Sequence, residues 1–160
     1  MNHSHFISFA LLFSALVWIG GCEGGLEPPM EETNPTGVIT GIVTYSGEWP
    51  SADSLKDLRF VPLKTKPQTA QDIIAEFTKN PVFSNQLDYF AEQDTFLVEN
   101  VPNGTYVYNA IAQRYGNQLF SDWRPVGVYQ ENDGIIIVDG DSTFINIHVD
   151  FDNLPPFNIE

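Results

Sequence analysis

From Gly37 onward, apolar and polar residues alternate with a period of two, interrupted by turn-forming residues. Ile39, Gly41, Val43 and Tyr45 share one face of a first strand, which Ser46-Gly47 ends. Leu58, Phe60 and Pro62 alternate with Arg59, Val61 and Leu63 in a second. Phe96 to Val101 predicts a third. Pro102-Asn103-Gly104 turns it into Thr105–Arg114, where Tyr106, Tyr108, Ala110 and Ala112 line one face. Val126 to Tyr129 reads as a short strand before the turn Glu131-Asn132-Asp133-Gly134. Ile135–Val138 and Thr143–Phe151 then read as a hairpin about Asp139-Gly140-Asp141-Ser142. One segment has a different period: Thr69–Lys79 places Ile73, Ile74 and Phe77 at helical spacing. Thr69 with Asp72 forms a capping pattern there, and Asn80-Pro81 stops the run. The pattern predicts an all-β fold over residues 37–160, a Greek-key β-sandwich of about seven strands with one short inserted helix over a sandwich edge.

The first part of the chain has another character. Phe6 to Ile19 is an unbroken apolar or small run. A bilayer-spanning helix needs about 20 such residues, so this run is the hydrophobic region of an export signal. It leads into Ile19-Gly20-Gly21-Cys22, an aliphatic residue and two small residues before a cysteine. This resembles the lipobox of bacterial lipoproteins. The resemblance implies that residues 1–21 are a signal peptide and that Cys22 carries the lipid. It also implies a lipid-anchored place in the bacterial cell envelope, on the outer membrane, facing the periplasm or the cell surface. Glu23 to Thr36 is rich in Gly, Pro and Glu without apolar periodicity, so residues 22–36 read as the lipidated cysteine and a flexible tether.

Composition narrows the partners. The 160 residues carry 7 Lys+Arg against 21 Asp+Glu, a net charge of -14. A chain that is 42% hydrophobic and 13% aromatic is too apolar for a disordered acidic tail. The charge repels nucleic acid and anionic headgroups, so the expected partners are the membrane, through the lipid on Cys22, and an unknown protein or glycan. With the single cysteine modified, no thiol is left for a disulfide, and stability has to come from a packed core.

Phe96-Leu97-Val98-Glu99-Asn100-Val101-Pro102-Asn103-Gly104-Thr105-Tyr106 resembles the V-P-x-G-x-Y edge of transthyretin-like and carboxypeptidase-regulatory-like domains. Thr40-Gly41-Ile42-Val43-Thr44-Tyr45 resembles the opening strand of the same families. What this implies is a seven-stranded Greek-key sandwich used as an accessory, adhesive or ligand-binding module. Fold likeness alone does not assign a function. The transthyretin-like hydrolase of purine breakdown relies on several histidines and a C-terminal tetrapeptide, and neither occurs here.

Catalytic groups are few. After the signal segment the chain keeps one histidine, His148, on the polar side of a strand whose core side holds Ile145, Ile147 and Val149. No His–Cys zinc set and no Gly-x-Ser-x-Gly elbow is present, so no cofactor is expected and the protein reads as a non-enzyme. A carboxylate enzyme using Asp150 beside His148 is the weakest reading, and it requires a raised carboxyl pKa in a cleft. Calcium is the one metal the residue types suit, through Asp133, Asp139 and Asp141 with Asp150 and Asp152 near turns. Such residues also serve simply to hydrogen-bond their own loops. Tyr115, Phe120, Trp123 and Tyr129 cluster in the sequence beside Asn117, Gln118, Asp122 and Arg124. They suit stacking on sugar rings, or equally plugging one end of the sandwich, and Trp49 carries the same ambiguity. Two functions follow: a non-catalytic binding or scaffolding module, or a carbohydrate-binding lipoprotein using the aromatic cluster.

Overall fold

The structure is a computed structural model that describes residues 35–79, 81–119 and 121–157. Cys22, the signal segment and the tether up to residue 34 lie outside the described residues, as does Phe120; Thr36, read from the sequence as the end of the tether, already belongs to the first strand and pairs with Pro102. The alternating segments form eight strands: β1 Thr36–Ser46, β2 Asp57–Leu63, β3 Gln93–Pro102, β4 Gly104–Tyr106, β5 Tyr108–Arg114, β6 Trp123–Val128, β7 Ile136–Val138 and β8 Ser142–Asp150. Among the described residues one α-helix, α1, spans Ala70–Lys79 between β2 and β3. The strands assemble in the orders β3-β1-β8 and β2-β5-β6, with β4 and β7 as a separate pair. The two larger sheets enclose one apolar core. Ile39, Val43, Phe96, Ile145 and Ile147 enter it from one side, and Leu58, Phe60, Ile111 and Val126 from the other.

The eighth strand arises where one continuous strand was expected. Thr105–Arg114 breaks at Val107, whose amide donates to the Leu63 carbonyl at 3.0 Å. Before the break, β4 pairs antiparallel with β7. After it, β5 pairs with β2 and β6. The extra residue inverts the side-chain parity. Tyr106 points into the core, but beyond it Asn109, Ile111 and Gln113 are the fully buried residues. Tyr108, Ala110 and Ala112 therefore lie on the opposite face from Tyr106, which corrects the single face expected from the sequence.

Ile135–Val138 and Thr143–Phe151 do not form a hairpin ladder. β7 pairs with β4, and β8 instead runs parallel to β1 from Val38↔Ser142 to Ser46↔Asp150. A bulge in β3 is the other irregularity. Ile39 faces Val98 and Gly37 faces Val101, and Asn100 takes the left-handed conformation (φ 56°) between them. The inserted residue sends Val101, not Asn100, into the core.

Gly41 is required by a close approach. A Cβ there would collide with the Ile145 carbonyl oxygen of β8 and lie 2.7 Å from Cζ of Phe96. Gly41→Ala is expected to destabilise the domain by about 3 kcal/mol, the upper end for overpacking a rigid site. Urea unfolding of the two proteins checks this, and a change below about 1 kcal/mol would show that β8 can give way.

Candidate functional site

β2 is buried on both faces, which a half-solvated strand would not be: from Phe60 to Leu63 every residue is buried. Its inward residues, Leu58 and Phe60, belong to the core. Its outward residues continue across the sheet in rows: Leu63 beside Tyr108, Val61 beside Ala110, Arg59 beside Ala112, and Asp57 beside Arg114 and then Trp123. Two alanines in the central strand keep the floor of this outer face low. Over it lies α1, which brings Ile73 and Phe77 to the sheet, while Ile74 is exposed. Beyond Ile73 and Phe77 the covering is incomplete. An open cleft of about 350 Å³ remains, lined by Asp57, Arg59, Val61, Ile73, Phe77, Pro81, Phe83, Leu119 and Trp123. That volume falls at the lower end of small-molecule sites, roughly 300–1,000 Å³.

The walls of the cleft are fixed by identifiable contacts. The indole N–H of Trp123 donates to the Leu119 carbonyl at 2.7 Å, which sets the ring plane and folds the 115–123 loop. The Asp122 carboxylate accepts the Gln118 amide at 2.8 Å in the same loop. Arg59 is held from three sides. Its Nε donates to both Asp57 oxygens at 2.9 and 3.0 Å, its Nη1 donates to the Ser84 carbonyl at 3.0 Å, and its guanidinium lies 5.2 Å from the Phe83 ring centre. The cleft is thus apolar with a single ion pair at one end.

The start of α1 is secured by the expected cap. Thr69 Oγ1 accepts the Asp72 amide at 3.2 Å, and the Asp72 carboxylate accepts the amides of Gln68 and Thr69 at 2.9 and 2.8 Å. These bonds, the Gln68 amide first and then the Thr69 amide and hydroxyl, hold the Asp72 carboxyl below its ordinary value. A carboxyl with a lower pKa folded than unfolded contributes stability above its unfolded value, about 4, and loses it as pH falls through its folded value. Asp72→Asn is therefore expected to lower the unfolding midpoint at pH 6, with the difference closing below about pH 3. Thermal unfolding of both proteins across that range checks it. A difference constant with pH would mean that the charge is irrelevant to the cap.

The aromatic cluster proposed from the sequence is divided by the fold. Tyr129 is a core residue, 4% exposed, whose hydroxyl accepts the Asn132 side-chain amide at 3.2 Å, so it is withdrawn from the binding set. Tyr115 is at the surface, 42% exposed, but Arg124 lies over its ring at 5.6 Å. Of the described members of the set only Trp123 lines the cleft, and it also borders a neighbouring groove with Tyr115, Arg124 and Phe157. Trp49 packs. Its ring is 4.7 Å from Tyr45, 4.4 Å from Phe151 and 5.5 Å from Phe90, capping one end of the core.

Asp133, Asp139 and Asp141 are all exposed, Asp133 on one turn and Asp139 and Asp141 on another, and among the described residues no three acidic, histidine or cysteine side chains gather as metal ligands. The turn residues instead serve the backbone: the Asp141 carbonyl accepts the Val38 amide at 3.2 Å. His148 is held between two hydroxyls of β1, Thr44 Oγ1 at 2.9 Å from Nδ1 and Ser46 Oγ at 3.0 Å from Nε2. The Asp150 carboxyl is lowered, by the Asn153 side chain first and by the Asp152 amide next. Acid catalysis by Asp150 would need the opposite shift.

Sequence reasoning passed over Asp57, Arg59, Phe83 and the helix residues as site components. One signal was present: Phe60-Val61-Pro62-Leu63 is apolar at consecutive positions, the mark of a strand covered on both faces. Comparisons with protein-family models, with curated proteins and with solved structures found no match.

Proposed function

We propose that the protein is an envelope lipoprotein, anchored through Cys22, whose sandwich is a non-catalytic binding module with its ligand site in the cleft between α1 and Trp123. The observation that carries the site is the incomplete covering of the outer face of β2-β5-β6. An apolar sheet face is normally sealed, because each buried aliphatic side chain is worth about 1.5–3 kcal/mol. Here the chain supplies a helix for that purpose and still leaves a cleft bounded by Phe77, Phe83 and Trp123. The lipid anchor rests on Ile19-Gly20-Gly21-Cys22 and the apolar run before it.

Filling the cleft tests the reading. Ile73→Trp places a large ring in it from the helix side. A small-molecule screen by thermal shift on the full chain is expected to find ligands that raise the melting temperature of the wild type by about 5 °C at saturation and leave the variant unmoved. Ligands that stabilise both proteins equally would place binding elsewhere, and the cleft would lose its role. The carbohydrate alternative retains Trp123, which lines the cleft, as its stacking platform. It requires that Trp123→Ala fold normally and lose retention on glycans.

A further inference from the structure

The cleft beside α1 holds two charged side chains whose charges cancel. Asp57 and Arg59 are the charged residues of its lining among the described residues, and they pair with each other, Arg59 Nε lying 2.9 Å from an Asp57 oxygen. Both are largely withdrawn from water, Arg59 being 27% and Asp57 16% exposed. A charged ligand entering here would give up its hydration and meet a cation and an anion together. Neither an anion nor a cation would find an uncompensated partner to offset that loss. The chain as a whole, at -14, disfavours an anion further.

The pair still has hydrogen bonds to offer. Nε and Nη1 of Arg59 donate to Asp57 and to the Ser84 carbonyl, and among the described residues Nη2 has no acceptor. Both Asp57 oxygens accept from that one Nε, whereas a carboxylate has room for about four such bonds. The other side chains of the lining add none. They are apolar, and the single N–H of the Trp123 indole is taken by the Leu119 carbonyl. From this juxtaposition we infer that the ligand of the cleft is a small uncharged molecule with an apolar tail and an amide-like head. The tail lies between Phe77, Phe83 and Trp123. The carbonyl of the head accepts from Arg59 Nη2, and its N–H donates to Asp57. This deepens the function proposed above and rests on the cleft being the binding site. The size agrees: at roughly 30 Å³ for each non-hydrogen atom, the share of a water in the liquid, a cleft of about 350 Å³ holds about a dozen.

The test is equilibrium dialysis, at physiological salt and neutral pH, of labelled phenylbutanamide, phenylbutyrate and phenylbutylamine. The three share a tail and differ in the charge of the head. The full-length protein is held in nanodiscs of uncharged phospholipid, with empty nanodiscs as the blank. Only saturable binding is counted, which sets aside amine gathered loosely on the acidic surface. The amide is expected to bind about tenfold more tightly than either ion, the difference that one uncompensated charge makes. Asp57→Asn leaves Arg59 without its counter-ion and should turn the preference towards the acid. Arg59→Gln does the reverse and should turn it towards the amine. A pair that served only the fold would weaken all three ligands together. The wild-type comparison needs neither variant, so it stands even if both misfold. An acid or amine that binds as tightly as the amide would overturn the neutral class while leaving the cleft as a binding site. Binding of none of the three, or amide binding that Ile73→Trp does not reduce, would overturn the proposal and the assignment of the cleft together.

Discussion

Phe96→Ala is expected to lower the unfolding free energy by about 4 kcal/mol, close to the whole margin of a marginally stable domain. Phe96 is 1% exposed and its ring stacks on Phe60, with centroids 4.3 Å apart and planes inclined by 20°. The two rings come from opposite sheets, so the pair makes a direct contact across the sandwich. Phe96 also covers Gly41, where no side chain is available to fill the space that its loss would leave. Neighbours in a rigid sheet relax little, and the cavity term therefore adds nearly in full to the transfer term. Equilibrium urea unfolding measures the loss. A cycle with Phe60→Ala is expected to show a coupling of about 1 kcal/mol between the rings. A loss for Phe96→Ala under about 2 kcal/mol would mean that the sheets close over the gap.

The second large effect concerns location. On the lipoprotein reading, Cys22→Ala removes the only attachment site for acyl chains, since the sequence has no other cysteine. Among the described residues no helix is long and apolar enough to cross a membrane. Each buried methylene of an acyl chain contributes about 0.8 kcal/mol to membrane binding, so a multiply acylated cysteine holds the protein essentially irreversibly. The variant is expected to lose incorporation of labelled fatty acid completely, with the wild type recovered in the membrane fraction and labelled. Equal labelling of the two proteins, or none in the wild type, would end the lipoprotein reading. Cell fractionation alone is a weaker measure, because an uncleaved signal segment would itself retain the variant.

Much of the fold was legible because strand formation follows a local rule. Alternation of Ile39, Val43 and Tyr45, or of Ile145, Ile147 and Val149, requires only that one face be buried, and each of those segments is a strand. The helix was legible for the same reason, with Thr69 and Asp72 satisfying amides at its start within a few residues of chain. What each strand pairs with is not a local matter. The turn Asp139-Gly140-Asp141-Ser142 suits a hairpin, yet β8 gains a nine-residue parallel ladder with β1, far more pairing than the three residues of β7 can supply. Nor does alternation register a break such as Val107, because Tyr106 and Tyr108 keep an apolar pattern on either side of it.

The candidate site shows the same division. Local sequence grouped Tyr115, Phe120, Trp123 and Tyr129, but side chains a few residues apart on a strand and its flanking loops point in different directions. The fold sends Tyr129 to the core and Trp123 to the opposite face of the sheet. The cleft joins residues from β2, α1, the 81–83 segment and the 119–123 loop, none of which is diagnostic alone. By itself the sequence determined the strands, the capped helix, the acidic balance and the motif at Cys22, because each depends on neighbours along the chain. Only the tertiary structure decided the pairing, the second buried face of β2, and the meeting of Arg59, Phe77, Phe83 and Trp123 around one cleft. Those depend on which strands lie side by side, and that is set by the burial each pairing achieves across the whole core.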